Sequence, residues 1–131
     1  LQTTAHSPTG FAVEAGFLDQ REALHHAERH LVSNFIGAAD MRIDMSAGVE
    51  LDPRDTVIVA SDGLTDNVHL EEIVELARKG PLGEAADRVI ETAGRRMRDA
   101  VAGQPSKPDD LSLILFRKPT RPPSPARRRP V

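Results

Sequence analysis

The chain has 131 residues, a formal net charge of −3, 39% hydrophobic and 28% charged residues, and no Cys. That composition suits one folded unit, or part of one. It excludes a disulfide framework, a thiol nucleophile and a thiolate-bound zinc site. No apolar run approaches the roughly 20 residues needed to span a bilayer.

Charge is unevenly distributed. Residues 1 to 116 hold 11 basic and 20 acidic residues, whereas residues 117 to 131 hold 6 basic residues and no acid. An acidic body argues against a nucleic-acid face, which needs clustered Lys and Arg. The chain opens on Leu1 with no signal-like leader. The expected location is the cytoplasm, and the opening reads as the interior of a longer sequence.

In chain order, Ser7-Pro8-Thr9-Gly10 reads as a turn. Asp19 and Glu22 form a capping box for a helix over about 20–33, with Leu24, Ala27, Leu31 and Val32 as its apolar stripe and Asn34 and Gly37 as its end. Met41 to Met45 alternates apolar and polar residues, as a strand with one wet face does. After the turn Leu51 to Asp55, Thr56-Val57-Ile58-Val59-Ala60 is a continuous β-branched run, expected as a central strand buried on both faces.

Residues 70–79 predict a helix stopped by Gly80, and 82–101 a longer one that carries Gly94 inside it. Residues 103–108 are a loop, and 111–116 a final strand. Residues 1–117 therefore read as one structured portion. Residues 118–131, rich in Pro and Arg, read as a disordered tail.

Two acidic clusters stand at strand ends: Ser61-Asp62-Gly63-Leu64-Thr65-Asp66 after the β-branched run, and Asp109-Asp110 before the last strand. Carboxylates held at strand ends suit a metal site. An all-oxygen donor set favours hard divalent cations, Mg2+ or Mn2+. Gly63 would allow a sharp turn or close approach to the backbone. Each acid also has an architectural reading: Asp62 as a turn cap, Asp66 as the N-cap of the following helix, Asp109 and Asp110 as ordinary loop acids. His26 and His30 are four apart, but Ala27 stands where a zinc-protease helix carries its base, and a solvated face is the simpler reading. His6, in a turn-rich segment, could touch substrate. No phosphate-cradling Gly-rich loop or nucleophile elbow is present, and nothing marks Ser61 as a nucleophile.

Residues 55–67 resemble the Ser-Asp-Gly segment of the metal-dependent PP2C-type (PPM) protein serine/threonine phosphatases. Residues 105–115 resemble that family's last motif, an Asp followed by Asn or Asp and a strand. Asn34-Phe35-Ile36-Gly37 is similar to the block upstream of the Ser-Asp-Gly strand. The resemblance spans about residues 5 to 117 and implies an α+β fold, part of a four-layer α-β-β-α sandwich. It implies hydrolysis of phosphoserine and phosphothreonine in a phosphoprotein substrate, by in-line attack of water at a binuclear Mg2+ or Mn2+ centre.

Carried over by position, Asp62 and Asp109 would be metal ligands, with Gly63, Asp66 and Asp110 supporting them. The resemblance is to the family's C-terminal half only. The half that supplies the phosphate-binding Arg and the other ligands has no counterpart here. The isolated chain is therefore expected to be inactive unless a parent or partner chain completes it. The alternative expectation is a non-catalytic phosphatase-like binding or regulatory module. Neither nucleic acid nor a membrane segment is expected.

Overall fold

A computed structural model describes residues 1–119. Of the tail expected over 118–131, residues 120–131 lie outside them. The elements in order are α1 (Pro8–Glu14), α2 (Gln20–Ala23), β1 (Thr56–Ala60), α3 (Asp62–Thr65), α4 (Leu70–Ala77), α5 (Leu82–Arg98) and β2 (Leu113–Arg117).

The two strands pair antiparallel, with Thr56 opposite Arg117, Ile58 opposite Leu115 and Ala60 opposite Leu113. Period-two alternation sends Ile58, Leu113 and Leu115 to one face, where they pack against Leu64, Val68, Ile73, Ala77, Val89 and Ala93. Helices α4 and α5 supply most of that core. On α5, Ala85, Val89 and Ala93 recur every four residues along the buried stripe, so small side chains bring the helix close to its neighbours.

The other face of the sheet carries Val59 and Ile114, exposed at 61% and 67%, and half-exposed Phe116. The β-branched run of β1 reads as buried on both faces. Among the described residues only one face is covered, because the helices lie on one side alone.

Two arginines close the C-terminal end of α4, where carbonyls lack intrahelical partners. Arg117 on β2 donates from Nη2 to the Ala77 carbonyl (2.8 Å) and from Nη1 to the Gly80 carbonyl (2.7 Å). Arg88 on α5 donates to the carbonyls of Leu76 and Lys79. Gly80 itself takes a positive φ of 77°, as the stop after α4 requires.

The first half of the chain departs from expectation. Ser7 accepts from Gly10 N–H and Pro8 occupies the first turn, so the Ser-Pro turn starts a helix, α1. The Asp19–Glu22 capping box forms, but its helix ends at Ala23 and continues as turns. Leu31 and Val32 are exposed, so no buried stripe holds the helix beyond that point. Met41 to Met45 forms no strand: Ile43 and Met45 are largely exposed, and no neighbouring strand pairs with them among the described residues.

Candidate metal centre

Antiparallel pairing places the end of β1 beside the start of β2, and both acidic segments grow from that edge of the sheet. Ser61 extends the pairing by one residue. Its N–H donates to the Ser112 carbonyl (3.0 Å), its Oγ accepts from Ser112 N–H (2.9 Å), and its hydroxyl donates to the Asp110 carbonyl (3.1 Å). Ser61 is thus a clasp between the two segments.

Gly63 completes the approach. A Cβ at this position would stand 2.3 Å from the Asp110 carbonyl oxygen. The glycine is required by close packing of two backbones, with no unusual dihedral involved.

Asp62 opens the single turn of α3 and Asp66 closes it, four residues apart and therefore on one face. Asp109 reaches the same spot from the loop before β2. One oxygen from each of Asp62, Asp66 and Asp109 lies within 4.8 Å of the others. Asp62 and Asp109 are exposed, and Asp66 is half-buried. Asp66 does not cap α4: His69 holds that position, with its N–H donating to Glu72 Oε2 (3.2 Å).

Asp110 acts here through its main chain. Its N–H donates to Asp109 Oδ1 (2.8 Å) and its carbonyl accepts from Ser61. The Asp110 N–H, and after it the Lys107 ammonium, hold the Asp109 carboxyl below its ordinary range.

Lys107 lies within the cluster. Its Nζ is 2.5 Å from Asp66 Oδ2 and 3.2 Å from Asp109 Oδ2. Those two carboxylates, Asp66 foremost, raise the affinity of Lys107 for its proton.

The backbone under Lys107 is fixed by Asn67, which is wholly buried. Asn67 Nδ2 donates to the carbonyls of Lys107 (2.8 Å) and Gly63 (2.9 Å), and its Oδ1 accepts from Lys107 N–H (2.7 Å). Behind it, buried Arg96 donates to the Asn67 carbonyl (2.9 Å) and in a two-pronged pair to Glu72 (2.8 and 2.6 Å). Arg96 holds the Glu72 carboxyl below its ordinary range. Asn67, Lys107 and Arg96 are not marked as site residues by any motif in the sequence. Lys107's place two residues before Asp109 is the one local hint.

A groove of about 660 Å³ opens beside the cluster. Asp62, Thr65, Asp66 and Lys107 line one wall, and the segments around His6 and Leu31 line the other. His6 faces this groove, but both its ring nitrogens are engaged, Nε2 with Asp44 (2.8 Å) and Nδ1 with the Asn34 amide (2.5 Å). It ties the irregular segment 33–44 to the N-terminus. His26 and His30 are exposed and lie beyond the end of α2, with no shared helical face.

Three carboxylates with no nitrogen or sulfur donor form a set that could hold a hard divalent cation, with water filling its other positions.

No protein-family model matches the sequence. Over 98 residues the chain is 35% identical to a putative protein phosphatase 2C-type of Streptococcus pyogenes serotype M6, a match that spans 73% of this chain and 39% of that protein. Among solved structures it is similar to the PPM Ser-Thr phosphatase MsPP of Mycobacterium smegmatis, in complex with cacodylate. There the TM-score is 0.67 at 26% identity, over 87% of this chain and 45% of that one. A bacterial serine phosphatase gives the same TM-score at 25% identity, over 91% of this chain and 45% of that one.

The chain has a PPM/PP2C-type phosphatase fold. Its small antiparallel sheet with helices on one face matches part of the α-β-β-α sandwich of that fold. The chain spans about two fifths of the curated relative's length and under half of each solved PPM-type chain. Among the described residues, no helix is long and apolar enough to cross a membrane.

Proposed function

We propose that this chain forms part of a metal-dependent phosphatase that hydrolyses phosphoserine and phosphothreonine in proteins, with Asp62 and Asp109 as ligands of Mg2+ or Mn2+. The observation that carries this reading is the convergence of Asp62, Asp66 and Asp109 from two segments distant in sequence. The named relatives supply the reaction class. A divalent ion bound there would stabilise charge developing on the phosphoryl oxygens.

The chain's own residues have separable roles in this reading. Asp62 and Asp109 hold the cation. Asp66 completes the oxygen set directly or through water. Gly63 and the Asp110 backbone fix the spacing between the two acidic segments. The groove alongside, lined in part by Asp62, Thr65 and Asp66, would receive the phosphorylated side chain of the substrate. The relative solved with cacodylate, a tetrahedral oxyanion, is consistent with a substrate of that shape.

Three carboxylates serve one hard cation, and a second needs oxygen ligands that this cluster does not provide. We therefore expect these 131 residues alone to bind metal weakly and to hydrolyse phosphoester poorly. A non-catalytic module is the second reading, favoured by the Lys107 ammonium already seated among the carboxylates.

The test is hydrolysis of a phosphothreonine peptide with Mn2+. This chain is assayed beside a form extended to its relatives' length, each with an Asp62→Asn control. Activity in the extended form that disappears with the substitution supports the phosphatase reading. An inactive extended form that does not bind Mn2+ contradicts it.

A further inference from the structure

The metal-centre reading leaves Lys107 unexplained, since an ammonium cannot ligate a metal ion and here it lies among the proposed ligands. Its Nζ contacts Asp66 Oδ2 and Asp109 Oδ2, so it already draws on two of the three carboxylates of the cluster. A cation bound to oxygen at about 2.0–2.6 Å would stand next to that ammonium, and like charges so close repel strongly.

The surroundings separate what is fixed from what can move. The Lys107 main chain is clamped on both sides by buried Asn67. The side chain is 36% exposed, lines the groove, and hangs on four rotatable carbons. It can leave the carboxylates without moving the backbone that carries Asp109.

We propose that Lys107 is an internal counter-cation of the Asp62–Asp66–Asp109 cluster: its ammonium and a divalent metal ion compete for the same carboxylate oxygens, and metal binds with Lys107 swung out into the groove. This inference rests on the metal-centre reading and deepens it. The ammonium neutralises part of the mutual repulsion of three carboxylates when the site holds no metal. It also raises the metal concentration at which the site fills, because only the fraction of molecules with the side chain swung out is competent to bind.

The test is Mn2+ binding, followed by the electron paramagnetic resonance signal of free Mn2+, for the natural chain, Lys107→Met, Lys107→Arg and Asp62→Asn. Circular dichroism checks that each variant is folded. Lys107→Met keeps the length of the stem and removes the charge. It should bind Mn2+ about tenfold more tightly, the scale on which one adjacent charge acts. Lys107→Arg keeps the charge and should stay near the natural chain.

A second readout is acetylation of the Lys107 amine by acetic anhydride, followed by mass spectrometry with Lys79 and Lys118 as references. Saturating Mn2+ should raise it and a chelator should reverse the rise. Equal affinity of the natural chain and Lys107→Met, with Asp62→Asn weaker, overturns the Lys107 inference and leaves the metal centre standing. Weaker binding by Lys107→Met also overturns it. No Mn2+ binding by any form, Lys107→Met included, overturns both.

Discussion

At the scale of single residues, the site depends on a few side chains that hold backbone and only indirectly on the acids themselves. Gly63 shows this most directly. An added Cβ would meet the Asp110 carbonyl oxygen at 2.3 Å, and that oxygen belongs to main chain tied by Ser61. Gly63→Ala should cost about 1–3 kcal/mol in urea unfolding, the range for overpacking a close contact. It should also weaken Mn2+ binding, because Asp62 and Asp109 are pushed apart. Unchanged stability would show that the two segments part freely.

Glu72 carries a second expectation, on pH. Its carboxyl is held below the ordinary range by Arg96, so its folded pKa is depressed. The contribution is present above the unfolded value, near 4.3, and is lost as pH falls through the folded value. Between about pH 5 and 3 the natural chain should lose stability more steeply than Glu72→Gln. Parallel profiles would show that this pair contributes nothing across that range.

At the scale of elements, what was legible in the sequence was what local chemistry decides. The β-branched residues of β1, the glycine stop after α4 and the long helix that follows it all depend on neighbours a few positions away. Asp62 and Asp109 stand out in the sequence because each lies near an expected strand end; they are two residues past the end of β1 and four before the start of β2. The expected continuation of α2 to residue 33 and the Met41–Met45 strand do not form, because a pattern needs a surface to bury against. Their apolar residues find none among the described residues. Asp66 reads in the sequence as either a cap or a site residue, and His69 at the cap position removes the first of these readings. The pairing of Arg96 with Glu72 and of Lys107 with Asp66 was hidden because these partners lie 24 and 41 residues away.

Helix α5 also carries Gly94 in its interior. A Cβ there would meet only the far end of the Arg98 side chain, at 3.2 Å. Gly94→Ala should therefore stabilise the chain by about 0.5–1 kcal/mol, the helix-interior difference between the two residues. Chemical denaturation reads this directly. A loss of stability would mean that Arg98 cannot give way.

At the scale of the whole molecule, one side of the sheet packs on helices and the other presents Val59, Ile114 and Phe116 to solvent. A two-stranded sheet with one covered face gains limited stability from burial. The candidate metal centre lies at the edge of that sheet, where Ser61, Gly63 and Asn67 lock their own segment to residues 107–112. A bound cation would tie α3 to the loop before β2 and so stabilise the chain by mass action.

The central claim is that this edge is a divalent-cation site built on Asp62 and Asp109. The measurement that tests it most directly is calorimetric titration of Mn2+ into the natural chain beside Asp62→Asn and Asp109→Asn, each verified as folded. The natural chain should show saturable binding that is at least about tenfold weaker in each variant, on the scale of removing one ligand charge. Binding of the same strength in all three would contradict it, as would no binding in any.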